Sequence, residues 1–348
     1  MTTERKRDLD SYTGPIDISE LWNTICDQEA ARSFREWSGM ESRTDDMAGG
    51  SDVGNSRSNN EDAHVAWRFR PPRGAQPVTV LIVADGVGGE ESGEVASNML
   101  VKSIAVDLFC RAFRRVAVAT ASDDIGFRAA TMNTDDLVVD YAPAISARDL
   151  TESILTGHDR ILREAGRRGM PDGIATTVVV AVLSGQTLHV AHAGDSRGYV
   201  FGKEGLRPVT LDHSVVMDLM RQKKITPEEA RRHRLRHVIT RTVGKSDGVE
   251  PESSTAKVSP SDVVMLCTDG LTDMLDDRAI EQVLRKTPLV SDQVRELIQE
   301  TLQAGGRDNT TIALARAVCR PSVPPPPSDE AAFTICQFGR AITYRIKV

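Results

Sequence analysis

The sequence predicts an α+β fold in which antiparallel sheets are covered by helices. Three observations carry this. Short β-rich runs follow one another with turn residues between them and few helical patterns intervening, which argues against alternating βαβ units. The central runs, 78–84 and 263–267, are apolar at nearly every position, as strands buried on both faces are. Two stretches, 92–110 and 151–166, read as helices able to cover such sheets.

Taken in order, residues 1–50 form a polar extension with one amphipathic helix, in which Ile18, Leu21, Trp22, Ile25, Phe34 and Trp37 fall near helical spacing. The main domain spans 51–318. Its first strands are 63–69 and 78–84. The helix at 92–110 follows, with Val95, Met99, Leu100, Ile104, Leu108 and Phe109 on one stripe. Residues 111–150 lack a pattern and read as an irregular insertion. The helix at 151–166 ends at Gly166. Strands at 174–183, 187–193 and 198–201 come next.

Residues 212–240 break the strand rhythm. Thr226-Pro227-Glu228-Glu229 is a helix start, with Pro at the first position and a capping-box Glu. It opens a basic helix over 230–237, and seven Lys or Arg lie between Arg221 and Arg236. Such a run reads either as a solvated face or as a flap that attracts an anionic substrate. Strands at 263–267 and 310–318 complete the domain. Residues 319–348 are a Pro-rich linker, extended over 321–327, and a strand-like tail from Phe333 that is too short to fold alone.

Composition sets the bounds. A chain of 348 residues with 40% hydrophobic content can bury a large core, and with 4% aromatics that core is expected to be Val, Leu, Ile and Ala. The formal charge of -7 gives no reason to expect nucleic acid. The five cysteines are odd in number and lack metal-type spacing, which suits a reducing cytosol. The charged N-terminus leads into no apolar segment, and no stretch reaches the roughly 18 apolar residues of a membrane helix. The expectation is a cytoplasmic protein without a membrane span.

Chemistry enters where strands meet acids. The run 78–84 stops at Asp85-Gly86-Val87-Gly88-Gly89, and 263–267 runs into Thr268-Asp269-Gly270. Asn60-Glu61-Asp62 precedes one strand, and Gly305-Gly306-Arg307-Asp308-Asn309 precedes another. A carboxylate beside a buried strand is costly unless a cation or several donors meet it. In an antiparallel sheet the end of one strand and the start of its neighbour share an edge, so these acids can converge there. The glycines let the backbone bend and bring main-chain oxygens near. Such a cluster would hold a hard cation, Mg2+ or Mn2+.

These turns, in this order, resemble the metal-dependent protein phosphatases of the PPM family, also called type 2C, in their bacterial form. The resemblance rests on Arg57-Ser58-Asn59-Asn60-Glu61-Asp62, Asp85-Gly86-Val87-Gly88-Gly89, Asp172-Gly173-Ile174-Ala175-Thr176-Thr177, Gly194-Asp195-Ser196-Arg197, Thr268-Asp269-Gly270-Leu271 and Gly306-Arg307-Asp308-Asn309-Thr310-Thr311. Residues 225–230 resemble the bacterial flap. The resemblance implies a four-layer α-β-β-α sandwich, two antiparallel sheets flanked by helices, with a small flap and a two-metal site at one end.

It also implies roles. Asp85 would bridge two Mn2+ or Mg2+ ions and the Gly86 carbonyl would bind one. Asp269 and Asp308 would hold the other, while Glu61 and Asp62 would act through coordinated water. A weaker third ion would involve Asp172 and Asp195 together with Asp269. Arg57 would grip phosphate, for which its planar fork is suited. The implied reaction is hydrolysis of phosphoserine or phosphothreonine in a protein, by a metal-bridging water or hydroxide. The implied partners are phosphorylated proteins and a serine/threonine kinase or its targets.

The sequence departs from the pattern twice. Ala175 stands where Gly is usual, and Val87 where many eukaryotic members carry a His proposed as general acid. His64, His192 and His213 are substitutes to weigh, each reading more simply as structural or exposed. His189 and His192 point to opposite faces of a strand and make a poor metal pair. Two rivals share these residues: a pseudophosphatase that binds phosphoproteins without turnover, and a divalent-metal phosphodiesterase or nuclease, against which the acidic balance weighs.

Overall fold

In the computed structural model, residues 46–70, 76–87, 91–121, 145–170, 174–317, 330–337 and 340–347 are described. The expected N-terminal helix, the Pro-rich linker and Asp172 lie outside them. Strand β3 (Val78–Val87) shows why its sequence lacks polar alternation: Val80 and Ile82 join one buried cluster, while Leu81 and Val83 join another. Both faces of the strand are covered, so both periods of the pleat are apolar.

Two antiparallel sheets share that inner cluster. One holds β1 (Met47–Asp52), β7 (Arg197–Gly202), β8 (Gly205–Pro208), β10 (Val263–Cys267) and β11 (Thr310–Arg316), in the order β1-β11-β10-β7-β8. The other holds β2 (Asp62–Arg70), β3, β5 (Val178–Ser184), β6 (Thr187–Ala193), β9 (Glu252–Lys257), β12 (Glu330–Gln337) and β13 (Arg340–Lys347), ordered β13-β12-β2-β3-β5-β6-β9. The short β4 (Ala175–Thr176) pairs with the end of β3. Leu81, Val83, Val179 and Ala181 of the larger sheet meet Val264, Leu266, Ala313 and Ala315 of the smaller.

Helices close the outer faces. Helix α1 (Glu91–Ala121) and α2 (Ala147–Arg167) bring Leu100, Ile104, Leu108, Ile154 and Ile161 against Val65, Trp67, Val80 and Ile82. Trp67 meets Phe109 edge-on, with ring centres 6.0 Å apart. On the smaller sheet, α6 (Asp277–Lys286) and α7 (Val290–Gln303) set Ile280, Leu284, Val294 and Leu297 against Met265, Ile312 and Leu314. The four layers α-β-β-α thus follow from three apolar interfaces, built as expected mainly from aliphatic residues.

Several boundaries differ from the sequence reading. β1 begins at Met47, ahead of residue 51, and pairs with β11. The strand read as ending at Ala84 continues to Val87, because β4 offers Gly86 and Val87 a partner. The strand read over 174–183 is broken at Thr177, whose N–H turns to the Asp85 carbonyl at 2.8 Å.

Both ends of the expected insertion are helical. α1 runs to Ala121, and Arg111 ties it to Asp107 at 2.8 Å, to Asp149 at 2.7 Å and to Glu152 at 3.1 Å. α2 starts from a Ser146–Asp149 capping box and passes through Gly166; the turn that follows it is at Gly169, with φ +67°. The C-terminal tail pairs rather than hanging free: β12 lies antiparallel on β2, with Ala332 opposite Arg70 and Cys336 opposite Ala66, and β13 lies on β12.

The segment expected as a flap holds α3 (Val215–Arg221) and α4 (Pro227–Arg232), and a bridge between Ser214 and Ile239 closes its base. The Thr226–Glu229 capping box is present, with bonds of 2.7 and 3.2 Å. The basic run is not one helix: α4 stops at Arg232, His233 is extended, and the His233 ring accepts the Leu235 N–H at 3.2 Å. That side-chain bond replaces the next helical one.

Candidate metal centre

The acids converge at one end of the sandwich, from both sheets rather than along the edge of one. Asp62 and Asp85 stand opposite each other in the register of β2 and β3. Asp269 is the first residue of α5 (Asp269–Thr272), directly beyond β10, and Asp308 lies just before β11. The Thr268 hydroxyl donates to Asp62 at 2.9 Å, and the hydroxyls of Ser51 and Thr311 meet at 2.6 Å. Asp269 and Asp85 face the same gap, near enough for the Asp269 charge to act on Asp85. Asp195 joins them from the turn between β6 and β7.

The glycines that follow Asp85 and Asp269 serve close packing more than bending. A Cβ on Gly86 would strike the backbone of Gly93 in the first turn of α1, and one on Gly93 would strike the Glu61 carboxylate. A Cβ on Gly270 would strike the Asn309 carbonyl. Neither Gly86 nor Gly270 has a positive φ; that requirement falls on Gly305 and Gly306, at +136° and +54°. Their turn receives Asn55, whose N–H reaches the Gly306 carbonyl at 2.6 Å and whose amide reaches Leu302 and Gly305.

Asn309 then fixes the loop that carries Arg57 and Glu61. Its amide donates to the Val53 and Asn59 carbonyls, both at 2.9 Å, and its oxygen accepts the Glu61 N–H at 2.8 Å. The Gly86 N–H donates to the Glu61 carbonyl at 3.2 Å. Thr176 and Thr177 hold Asp85: the Thr176 hydroxyl donates to its carbonyl at 2.8 Å, and its N–H donates to the Thr177 hydroxyl at 3.1 Å. The sequence reading gave none of Asn309, Thr176, Thr177 or Thr268 a role, although each sits in a motif that it quotes.

Electrostatics in this cluster is unbalanced. Burial, then the neighbouring Asp62, Asp269, Asp195 and Asp308, pushes the Asp85 carboxyl well above its ordinary range. Burial raises Asp62 to about 7 and Asp269 to about 6. Burial and Asp269 raise Asp195. One oxygen each of Asp62 and Asp195 is buried without a hydrogen-bond partner among the described residues. An all-oxygen donor set with unmet charge and orphaned oxygens fits a hard divalent cation.

Arg57 lies at the mouth, about half exposed, with its guanidinium on Asp308 at 2.7 Å. That bond, chiefly, holds its pKa above the ordinary arginine value. The histidines weighed as proton donors are engaged elsewhere. His64 is buried and pushed down to about 4. His192 stacks on His213 with ring centres 4.4 Å apart and bonds the Leu211 carbonyl. Burial pushes His213 to about 4, and its ring meets Glu252 at 3.2 Å. His189 bonds Thr255 and does not join His192. The histidine that does approach the acids is His237 in the flap segment, 3.5 Å from Asp273, and the sequence reading had placed it in a basic helix.

Known proteins resemble this chain in sequence and in fold. A sequence profile described as protein phosphatase 2C matches residues 50–305. The serine/threonine phosphatase stp of Listeria monocytogenes is 30% identical over 265 residues, covering 76% of this chain and 92% of that protein. The crystal structure of the Mycobacterium tuberculosis serine/threonine phosphatase PstP/Ppp is similar with a TM-score of 0.59 at 29% identity, covering 78% of this chain and 98% of that one. A PstP catalytic domain in complex with two manganese ions gives a TM-score of 0.57 at 29% identity, over 78% and 97% of the two chains. This chain belongs to the protein phosphatase 2C family.

Proposed function

We propose that this protein is a metal-dependent serine/threonine protein phosphatase that hydrolyses phosphoserine and phosphothreonine monoesters in proteins. The observation that carries the reading is the meeting of Asp62, Asp85, Asp195 and Asp269 in buried surroundings that raise the pKa of each, with Asp308 beside them. Asp85, the Gly86 carbonyl, Asp269 and Asp308 are the residues to hold two Mn2+ or Mg2+ ions, with Glu61 and Asp62 acting through water. When bound, such a pair lowers the pKa of water and offsets charge on the attacking and leaving oxygens.

The chain's own groups do the rest. Arg57, pointed by Asp308, has guanidinium donors left for two phosphoryl oxygens at once. Asn309 and the Gly86 contact fix Glu61 against β3, so the loop bearing Arg57 keeps its distance from the acids. The exposed basic residues of the flap segment favour approach of an anionic phosphoprotein. The phosphates removed are those that a serine/threonine kinase installs. A cytoplasmic place of action is supported by the five cysteines, odd in number and without metal-type spacing, which suit reducing surroundings. No described helix is long and apolar enough to cross a membrane.

Purified protein tested on a phosphothreonine peptide should release phosphate with Mn2+ and lose that activity in EDTA, in Asp85→Ala and in Asp308→Ala. Binding of the peptide without release would point to a pseudophosphatase instead.

A further inference from the structure

We propose that Arg197 is a positioning residue for protein substrates: through a two-pronged clamp on Asp212 it fixes the root of the flap segment and so the direction in which that segment points. The proposal rests on the reading of the flap segment as the approach for a phosphoprotein.

Arg197 closes the motif Gly194-Asp195-Ser196-Arg197, of which only Asp195 enters the acid cluster. It is the first residue of β7, and its guanidinium meets Asp212 with two bonds, Nε to Oδ1 at 2.9 Å and Nη2 to Oδ2 at 2.7 Å. A lysine cannot reproduce that fork. The Asp212 side chain is 11% exposed, so its charge depends on the partner. The remaining Nη1 reaches the Tyr199 hydroxyl at 3.4 Å, which itself donates to Asp277 of α6 at 3.3 Å. The guanidinium is thus braced from the smaller sheet while it holds the residue that begins the flap segment.

Backbone bonds on either side of the clamp repeat the connection. The Val209 N–H donates to the Gly198 carbonyl at 2.8 Å, and the His213 N–H to the Gly194 carbonyl at 2.9 Å. The returning root is held by the Thr240 N–H on the His213 carbonyl at 2.8 Å, and by bonds of 2.9 and 2.8 Å between Thr176 and Val243. Beyond the roots there is little to hold the segment. α3 buries no residue and α4 buries only Ala230, so this helix pair has no core of its own and takes its orientation from below. Of the ion pairs that residues 212–240 make among the described residues, the clamp is the shortest. Arg231, Arg232, Arg234 and Arg236 ride exposed on the segment, so a shift at the root moves all four charges relative to the site. A protein substrate would feel that shift, whereas a small phosphate ester would not reach those arginines.

Kinetics of the full chain with Mn2+, on a phosphothreonine peptide and on p-nitrophenyl phosphate, test this. Two variants are compared with the native chain: Arg197→Lys, which keeps the charge, and the double variant Arg197→Met with Asp212→Leu, which leaves no orphaned charge if the single change fails to fold. In each, KM for the peptide should rise about tenfold, with kcat within about threefold, and the peptide-to-ester ratio of kcat/KM should fall about tenfold. Hydrogen exchange of the Val215 and Thr240 amides should quicken about tenfold while the amides of β3 hold. Parallel loss on both substrates would mean a merely structural role and overturn the proposal, as would unchanged exchange at the flap amides. A native chain that hydrolyses neither substrate would sink the phosphatase reading; the exchange measurement needs no turnover and still decides whether the clamp holds the flap.

Discussion

The two carboxylate pairs that meet at the end of the sandwich are held by different means. Asp62 and Asp85 are fixed by backbone ladders: each lies in a strand, opposite the other, and neither can move without breaking the register of β2 on β3. Asp269 and Asp308 lie outside the strands, on the first turn of α5 and on a loop pinned by Asn309 and a glycine contact. The Asp308 side chain is also 38% exposed, while Asp62 and Asp195 keep orphaned oxygens in the interior. The strand-borne pair is therefore preorganised at the larger electrostatic cost, and in the other pair Asp308 faces arriving ligands.

Exchanging single acids for their amides tests that division most strongly. Asp85→Asn and Asp308→Asn should each lower Mn2+-dependent phosphate release by on the order of 10^3-fold, because each removes several kcal/mol of charge stabilisation. Their thermal unfolding in EDTA should differ: Asp85→Asn should melt higher than the native chain, since it relieves repulsion among buried carboxylates, and Asp308→Asn should barely shift. Equal shifts by scanning calorimetry would erase the distinction between the halves.

Asn309→Ala should come next, at about 2–4 kcal/mol in urea unfolding, because three backbone groups lose their partner at once. Arg57→Ala should follow, lowering kcat/KM by roughly 10–100-fold, the worth of a charged hydrogen bond. Its Mn2+ affinity should hold, and calorimetry that finds it lost would move Arg57 into the metal-binding half. The smallest effect is graded. Asp62 shifts from 3.8 to about 7 on folding, so between these values the folded metal-free chain binds more protons than the unfolded one. Its stability should therefore fall as pH rises from about 4 to 7, and Mn2+ should reverse the fall.

The sequence showed the buried strands well, because a strand covered on both faces cannot hide its composition. It showed the acids for the same reason: a charge beside such a run stands out. What stayed hidden depends on partners distant in the chain. The exposed, polar β9 gains its strand character only from β6, and β1 from β11. α6 and α7 went unread, although Ile280, Val283 and Leu284, and then Val290, Val294, Leu297 and Ile298, fall at helical spacing. The split of the acids between two sheets could not be seen, since each turn looks alike whichever sheet it leaves. His237 was missed because the basic run suggested one continuous helix, and only the break at His233 turns that residue towards Asp273.

The pairing of the tail on β2 has a consequence for how the chain can be cut. β2 starts at Asp62 and ends beside Ala332, so the strand that begins in the metal centre is roofed along its far stretch by residues outside the family match. A protein shortened at residue 318 would keep every acid named above yet bare the N–H and C=O row of β2 between Ala66 and Arg70. Raw edges of that kind recruit other strands. The price of trimming would thus be paid in self-association rather than in chemistry, and the tail is best regarded as the hem of the larger sheet.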